Sequence, residues 1–526
     1  MRYFNTAGPA KHEMHYRLPP LQRFDLDELL MLIDQEKYFV LHAPRQTGKT
    51  TCLLALRDHL NESGRYRCLY FNVEPGQAAR GDVAATVRTV LDEAAIWARA
   101  TFGEPLLDDI RSQVVQKSGP HSMLGDALAL WAEREEKPLV LLIDEIDTLL
   151  GDGLISVLRQ LRAGYPRRPG HFPQSVILCG VRDVRDYRIH TSSQEIVTGG
   201  SAFNIKAESL RLGDFSRREV EALYQQHVEE TGQSFAAAAL QRIWDLTQGQ
   251  PWLVNALGYE CCFRSKQGRD RSREITAEMV DQAKENMILR RETHLDQLAD
   301  KLREERVRQV LGPLLAGANE PESIPDDDLQ YLLDLGLIRP ERPIEIANPI
   351  YREVIPRQLT FSEEHTISGH APEWYVDPSS GRLKVEALLT EFTDFFRQHS
   401  EHWMERFDYK EAGPQLLLQA FLQRVVNSGG RIEREYGLGR RRTDLLIIWP
   451  HPKGQQRAVI ELKILRKSRE RTIAEGLEQT ADYMDRCGAA EGHLVLFDRT
   501  PDKVWEDKIF REQRSGNGKK IEVWGM

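Results

Sequence analysis

The residues with the clearest chemistry in this 526-residue sequence lie at 39–52, FVLHAPRQTGKTTC. Phe39, Val40 and Leu41 read as a buried parallel strand running into a loop that ends in Gly48, Lys49 and Thr50, where a helix begins. That order suits a polyphosphate. Gly48 lets the loop backbone wrap an anion with its N–H groups inward and no Cβ in the way. Lys49 supplies charge for the terminal phosphates, Thr50 a hydroxyl for Mg²⁺, and the helix start its positive dipole end. Ala43, Pro44, Arg45, Gln46, Thr47, Gly48, Lys49, Thr50 and Thr51 are therefore the candidate nucleotide-binding residues, with ATP as the ligand. Ala43 stands where the usual pattern has its first glycine; alanine is the smallest substitute, so the cradle is expected to survive.

About ninety residues on, KPLVLLIDEIDTLL gives a second apolar strand, Leu139 to Ile143, with Asp144 and Glu145 at its C-terminal end. Ligands of doubly wound sheets bind at that end. Asp144 is then placed to join Thr50 around Mg²⁺, and Glu145 to orient or deprotonate the attacking water. A plain strand end would make Asp144 only a helix N-cap; the upstream loop favours the metal.

A second constellation lies in the tail. Two helices, Leu383 to about Arg406 and Pro414 to about Asn427, precede three strands: RIEREYGLGRRRTDLLIIWP holds two, and RAVIELKIL follows the turn HPKGQQ. Residues two apart in a strand share a face, so Glu461 and Lys463 lie together, and strand pairing would bring Asp444 beside Glu461. Two carboxylates so placed make a Mg²⁺ or Mn²⁺ site, and a nearby lysine can orient a water or stabilise developing charge.

Thr443-Asp444 with Glu461-Leu462-Lys463 resembles the PD-(D/E)XK nuclease superfamily, and Gln479-x-x-x-Tyr483 on the next helix resembles its RecB-like branch. The resemblance implies a restriction-endonuclease-like fold in which Asp444, Glu461, Lys463 and Gln479 are catalytic and Asp444 and Glu461 bind metal. The strand GHLVLFD completes the α-β-β-β-α-β order. Gln415 and Gln419 stand where many members carry a glutamate; Glu433 or Glu435 could supply the missing carboxylate. Arg440, Arg441, Arg442, Arg466, Lys467, Arg469 and Arg471 flank the site as sequence-independent phosphate contacts, or as solvated charges.

Alternating strands and helices around the first site specify a parallel sheet covered on both faces. The lead-in helix around Leu26 to Ile33 packs beside the nucleotide, RCLYFNVEP is a strand, and SVILCGVRD closes the core near residue 205. Arg182, Arg185 and Arg188 share one short loop at its end and could reach a γ-phosphate in cis or in trans; taken singly, each fits a solvated basic loop better. Residues 206–290 read as helical, with a turn at Gly249-Gln250-Pro251. That turn resembles the lid of AAA-like ATPases of the STAND and origin-recognition type, which implies lid contacts from Trp252 and Leu253 near the adenine. Residues 291–356 read as a helix ending at Gly336 and two short strands about a proline turn, a winged-helix pattern able to enter a DNA groove or to gate the ATPase; its acidic helix favours gating.

The fold class expected is α/β: a P-loop parallel-sheet ATPase core (1–205), helical lid (206–290), winged helix (291–356), linker (357–382) and C-terminal restriction-endonuclease-like domain (383–526). A hydrophobic share of 41% and charged share of 29% are ordinary for a soluble protein. No apolar run approaches the roughly 20 residues that cross a bilayer, and the N-terminus lacks a secretory signal, so no membrane partner and a cytoplasmic location are expected. Six cysteines without C-x-x-C spacing suggest buried thiols rather than zinc or disulfides. A net charge of −9 argues against a wholesale polyanion binder, although the tail is modestly basic. The expected function is nucleotide-controlled, metal-dependent cleavage of nucleic acid, DNA in the first place, with a homo-oligomer left open. The rival readings are a regulatory switch and a DNA-loading ATPase, with a tail that binds without cutting.

Overall fold

The computed structural model describes the chain except for residues 184–187, 191–195, 199–202, 291, 316–323, 360–374, 407–412, 427–430, 439–440, 466–467, 499 and 501–502. It divides into two compact units, Met1–Arg290 with Pro325–Arg339, and Arg291–Ile324 with Pro340–Met526.

The first unit is built on five parallel strands: β1 (Tyr38–His42), β2 (Arg67–Asn72), β3 (Leu139–Asp144), β4 (Ser175–Gly180) and β5 (Lys206–Arg211), in the order β2-β3-β4-β1-β5. The inner runs YFVLH, LVLLID and SVILCG are buried at every position, as a sheet covered on both faces requires. Helices α1 (Leu26–Asp34), α2 (Lys49–Glu62), α3 (Val83–Phe102) and α4 (Gly151–Gly164) supply those covers. Leu29, Ile33, Leu53 and Leu56 pack with Phe39 and Leu41, whereas Val87, Leu91 and Leu158 pack with Val40 and Leu141. Strand β5 corrects the expectation that helix begins at 206: KAESLR is a polar edge strand with no apolar run to reveal it.

Helices α5 (Arg217–Thr231), α6 (Ala237–Thr247) and α7 (Pro251–Tyr259) occupy most of the segment expected as a lid. Its turn needs glycine. Gly249 sits at φ +82°, and a Cβ there would come within 1.9 Å of the Phe215 carbonyl oxygen. Gln250 caps α7 by accepting from Leu253 N, and Pro251 opens the helix where no N–H is needed.

The expected two strands of a winged helix are not found among the described residues after Gly336; Ile338 and Ile346 are single bridge positions. Pro340 and Pro343 withhold two ladder donors there, and Pro349 already opens a helix, Pro349–Leu359. Helix α8 (Asp326–Asp334) moreover groups with the first unit. Its acids Asp326, Asp327 and Asp328 occupy the first turn, where they complement the helix dipole.

The second unit carries helices α9 (Val385–Arg406), α10 (Gly413–Val426) and α11 (Arg469–Cys487) with a six-stranded mixed sheet. Its strands are β6 (Arg431–Leu438), β7 (Arg441–His451), β8 (Gly454–Ile464), β9 (Glu491–Phe497), β10 (Phe510–Gly516) and β11 (Lys519–Gly525), ordered β6-β7-β8-β9-β11-β10. The first three form an antiparallel meander, and α11 crosses over to β9, parallel to β8. Ile473 and Met484 of α11 pack on Val459, Leu494 and Val523. The closing hairpin β10–β11 adds to the expected order. The end of the expected linker is docked: Trp449 Nε1 donates to Gly381 O at 3.0 Å, and Leu383 N donates to Gln456 Oε1 at 2.8 Å.

Two buried histidines make this unit acid-sensitive. Burial pushes His294 and His493 from 6.5 down to about 4. Between those values the unfolded chain binds protons that the folded unit excludes, so stability is full above pH 6.5 and falls as pH drops toward 4. Each histidine should cost about 1.4 kcal/mol per pH unit in that window. Denaturant midpoints at pH 7 and pH 5 should therefore differ, with the gap narrowed by His493→Gln; equal midpoints would contradict this.

Candidate nucleotide site and second acidic site

The C-terminal ends of β1, β3, β4 and β5 converge on the loop 43–48. Gln46 at φ +58° and Gly48 at φ +95° turn its backbone, and Thr47 Oγ1 donates to Pro44 O at 2.8 Å. Ala43 is fully buried in a small apolar cluster with Cys52 and Leu212, while its N–H donates to Gly180 O at 3.2 Å. Its methyl thus faces packing that a glycine would leave unfilled. Lys49 Nζ donates to Ala43 O at 2.9 Å and Pro44 O at 3.0 Å, held within the loop. Arg45 is exposed, and Thr51 Oγ1 accepts from Ala10 N at 3.0 Å.

Across the loop, Thr50 Oγ1 donates to Asp144 Oδ2 at 2.7 Å. Tyr70 OH donates to the same oxygen at 3.0 Å, and Glu145 N donates to Asp144 Oδ1 at 3.0 Å. Asp144 is fully buried, so the sheet fixes it. Hard oxygen donors from Thr50 and Asp144 within one hydrogen bond of each other suit Mg²⁺. Glu145 sits beside them at φ +58°, a strained conformation for a glutamate. Burial raises its pKa; Lys49 opposes this, and Asp144 and Asp147 add to it.

Beside this site, a cleft runs between the loop, the N-terminal segment and helix α7, lined by Thr6, Tyr16, Thr51, Trp252 and Asn255. Trp252 Nε1 donates to Thr6 O at 2.9 Å. Leu253, expected beside it, is fully buried and does not line the cleft. The N-terminal contribution was not anticipated residue by residue; Gly8-Pro9 and Pro19-Pro20 were its only marks.

Arg182, expected to reach a γ-phosphate, lies 4.9 Å over the Tyr331 ring of α8. Arg185 and the Arg188 side chain lie outside the described residues. The same helix holds the nucleotide edge elsewhere: Arg211 Nη2 donates to Leu333 O at 2.9 Å, and His42 Nδ1 is 3.8 Å from Asp334 Oδ1. Gly336, at φ +71°, rests against Pro44, where an added Cβ would lie 2.8 Å from Cγ.

In the second unit, Glu461 is 3% exposed, and its Oε1 accepts from Lys463 Nζ at 2.8 Å. Leu445 pairs with Ile460, so the next step of that register sets Asp444 at the position of Glu461. On the other side Arg434 pairs with Leu445 and Tyr436 with Thr443, which leaves Glu435, not Glu433, at the register position of Asp444. The side chains of Asp444, Glu433 and Glu435 lie outside the described residues. Among the described residues, no group of three or more His, Cys, Asp or Glu is gathered for a metal. Gln479 is half-buried on α11, and its Oε1 has no hydrogen-bond partner; Tyr483, one turn on, is buried. Gln415 and Gln419 are buried on α10.

The flanking arginines that can be described are engaged internally. Arg469 stacks 3.4 Å over the Phe510 ring and lies 3.6 Å from Glu512, and Arg471 pairs with Glu475 at 3.1 Å. Both remain solvent-exposed, Arg469 at 42% and Arg471 at 66%; Arg440, Arg466 and Lys467 lie outside the described residues, as do the side chains of Arg441 and Arg442.

The loop, the Thr50–Asp144 pair and the parallel sheet define a P-loop ATPase domain, and residues 33–187 match the AAA domain family. The first unit thus contains an AAA-like ATPase domain. Solved structures of similar fold include the Walker-type ATPase PABY2304 of Pyrococcus abyssi, at 16% identity and a TM-score of 0.45, covering 67% of this chain and 99% of that one. Cdc6p from Pyrobaculum aerophilum gives 15% identity and 0.37, covering 68% and 97%. The RuvB Holliday junction branch migration motor of Thermotoga maritima gives 11% and 0.31, covering 63% and 95%. No curated protein matches the sequence. All six cysteines are free and buried, and no helix among the described residues is long and apolar enough to cross a membrane.

Proposed function

We propose that the chain is a nucleotide-controlled nuclease: the first unit binds and hydrolyses ATP, and its nucleotide state sets the activity of a metal-dependent DNA-cleaving site in the second. In the first, Lys49 moves from its loop carbonyls to the terminal phosphates, and Thr50 and Asp144 would hold Mg²⁺, whose charge offsets that of the phosphates. Glu145 takes the proton of the attacking water. In the second, Asp444 and Glu461 would hold Mg²⁺ or Mn²⁺, Lys463 orients the water, and Gln479 lies on the helix behind them.

The observation that carries the nuclease reading is the register. It sets Asp444 at the position of the buried Glu461, with Lys463 two residues on. Control is supported by α8, which touches the nucleotide edge through Leu333 and Asp334 and, just past its end, Gly336, while the chain on both sides of that segment belongs to the second unit. A cytoplasmic location accords with six free thiols. Arg182 lies over Tyr331, which leaves room for a finger from another copy in a homo-oligomer. The pairing of Arg469 and Arg471 with acids takes two cations from a DNA-facing surface, which favours the second reading only in its form of a switch whose tail binds a partner.

The deciding experiment is Mg²⁺- or Mn²⁺-dependent degradation of linear, circular and single-stranded DNA by wild type and Glu461→Ala. Cutting lost in the variant supports the nuclease; ATP hydrolysis without cutting by either protein transfers the account to the second reading. Gly336→Val, which adds a side chain against Pro44 at a positive φ, should separate α8 from the loop. Nucleotide should then change the cutting rate less than about two-fold; full nucleotide response in this variant would remove α8 from the control pathway.

A further inference from the structure

Lys49 is not the only cation built into the loop. Arg23 ends a short turn, Pro20–Arg23, and its guanidinium lines the cleft that also contains Thr51, Trp252 and Asn255. Arg23 Nη1 donates to Thr47 O at 3.2 Å and Nη2 to Gly213 O at 2.6 Å, while the group lies 4.5 Å over the Phe215 ring. A Cβ built on Gly48 would lie 3.5 Å from Arg23 Nη1, so the guanidinium rests against the backbone that cradles phosphate.

Burial lowers the Arg23 pKa, with Cys52, Glu219 and Asp214 acting against it. A guanidinium stays charged under such shifts. Among the described residues its hydrogen-bond partners are two carbonyls and no carboxylate, which use two of its five donors. Holding a charge in a partly buried position without a hydrogen-bonded anion is unfavourable, and an anionic ligand in the adjoining cleft would offset that cost. The Lys49 end of the loop serves the terminal phosphates. Arg23 lines the same cleft as Gly48 and Thr51, so a phosphate reaching the loop from that cleft would pass it.

We propose that Arg23 is a nucleotide-binding residue that donates to the α-phosphate and, through Gly213 and Phe215, ties the lid to the phosphate loop. The assignment rests on the ATPase reading of this site. It makes Arg23 a clasp that tightens when a phosphate completes its hydrogen bonds.

Binding of ADP, AMP and adenosine to the full chain, measured by competition against a fluorescent ADP analogue, tests it with Arg23→Ala, Arg23→Lys and Lys49→Ala. Arg23→Ala should weaken ADP and AMP alike, by about ten- to a hundred-fold, and leave adenosine within about two-fold. Arg23→Lys, which keeps the charge and loses the fork, should recover part of the loss. Lys49→Ala should instead weaken ADP more than AMP. A scaffold role alone would lower the melting temperature without this phosphate dependence. The assignment is overturned by ADP affinity unchanged in both Arg23 variants, or by adenosine weakened as much as ADP. If the alanine variant does not fold, the lysine variant decides by the same comparison. Absence of ADP binding by the wild type would instead overturn the ATPase reading, and this assignment with it.

Discussion

Glu145→Gln lowers kcat for ATP hydrolysis by about a hundred- to a thousand-fold while ATP affinity stays within a few-fold. Glutamine keeps the size and most of the polarity of glutamate but cannot accept a proton, so the loss falls on the step in which water is activated. The neighbours of Glu145 are the ground for proposing it, and not Asp144, as the base. Asp144 is committed to Thr50, Tyr70 and the Glu145 N–H, whereas Glu145 follows it in a left-handed conformation at the end of β3. Burial raises its pKa, and only the ionised form can act as base. The acid limb of the kcat profile should therefore lie above the range of an exposed glutamate, and activity should fall as pH drops through it. Steady-state hydrolysis and nucleotide titration of the variant check this. Unchanged kcat would move the role of base elsewhere.

The second large effect is expected at Glu461. Glu461→Ala should reduce metal-dependent DNA cleavage about a thousand-fold or more, because it removes a carboxylate proposed to bind the metal and leaves Lys463 without the acid it now pairs with. Since Glu461 is 3% exposed, alanine also opens a void in the sheet. Glu461→Gln keeps the volume and should be as inactive while melting close to the wild type. Cleavage retained in the glutamine variant would mean that Glu461 is a structural ion-pair partner and not a metal ligand.

The parts of this molecule that were legible in its sequence are those where one local rule dominates. The inner strands β1, β3 and β4 are unbroken apolar runs, and Gly48-Lys49-Thr50 follows the first of them directly. Gly249 announced the lid turn because its positive φ and the nearby Phe215 carbonyl exclude every side chain. The parts that were missed depend on tertiary context. Strand β5, KAESLR, is held by its ladder to β1 rather than by an apolar pattern. Gly516-Asn517-Gly518 was a readable hairpin signal, with Asn517 and Gly518 at φ +50° and +78°, yet RSGNGKK is so polar that it reads as a tail. Nor could spacing show that Arg469 spends its charge on Phe510 and Glu512, or that α8 groups with the nucleotide unit. Those are long-range pairings with no periodicity of their own. Arg23 escaped for the same reason: its partners Thr47 and Gly213 are 24 and 190 residues away.

The most direct test of the central claim, that the first site governs the second, is the DNA cleavage rate of wild type and Lys49→Ala with Mg²⁺, each with and without ATP. The account predicts that ATP changes the wild-type rate several-fold and that the variant, unable to hold the terminal phosphates, cuts at one rate regardless of ATP. A Lys49→Ala protein whose cleavage answers ATP as the wild type does would contradict it.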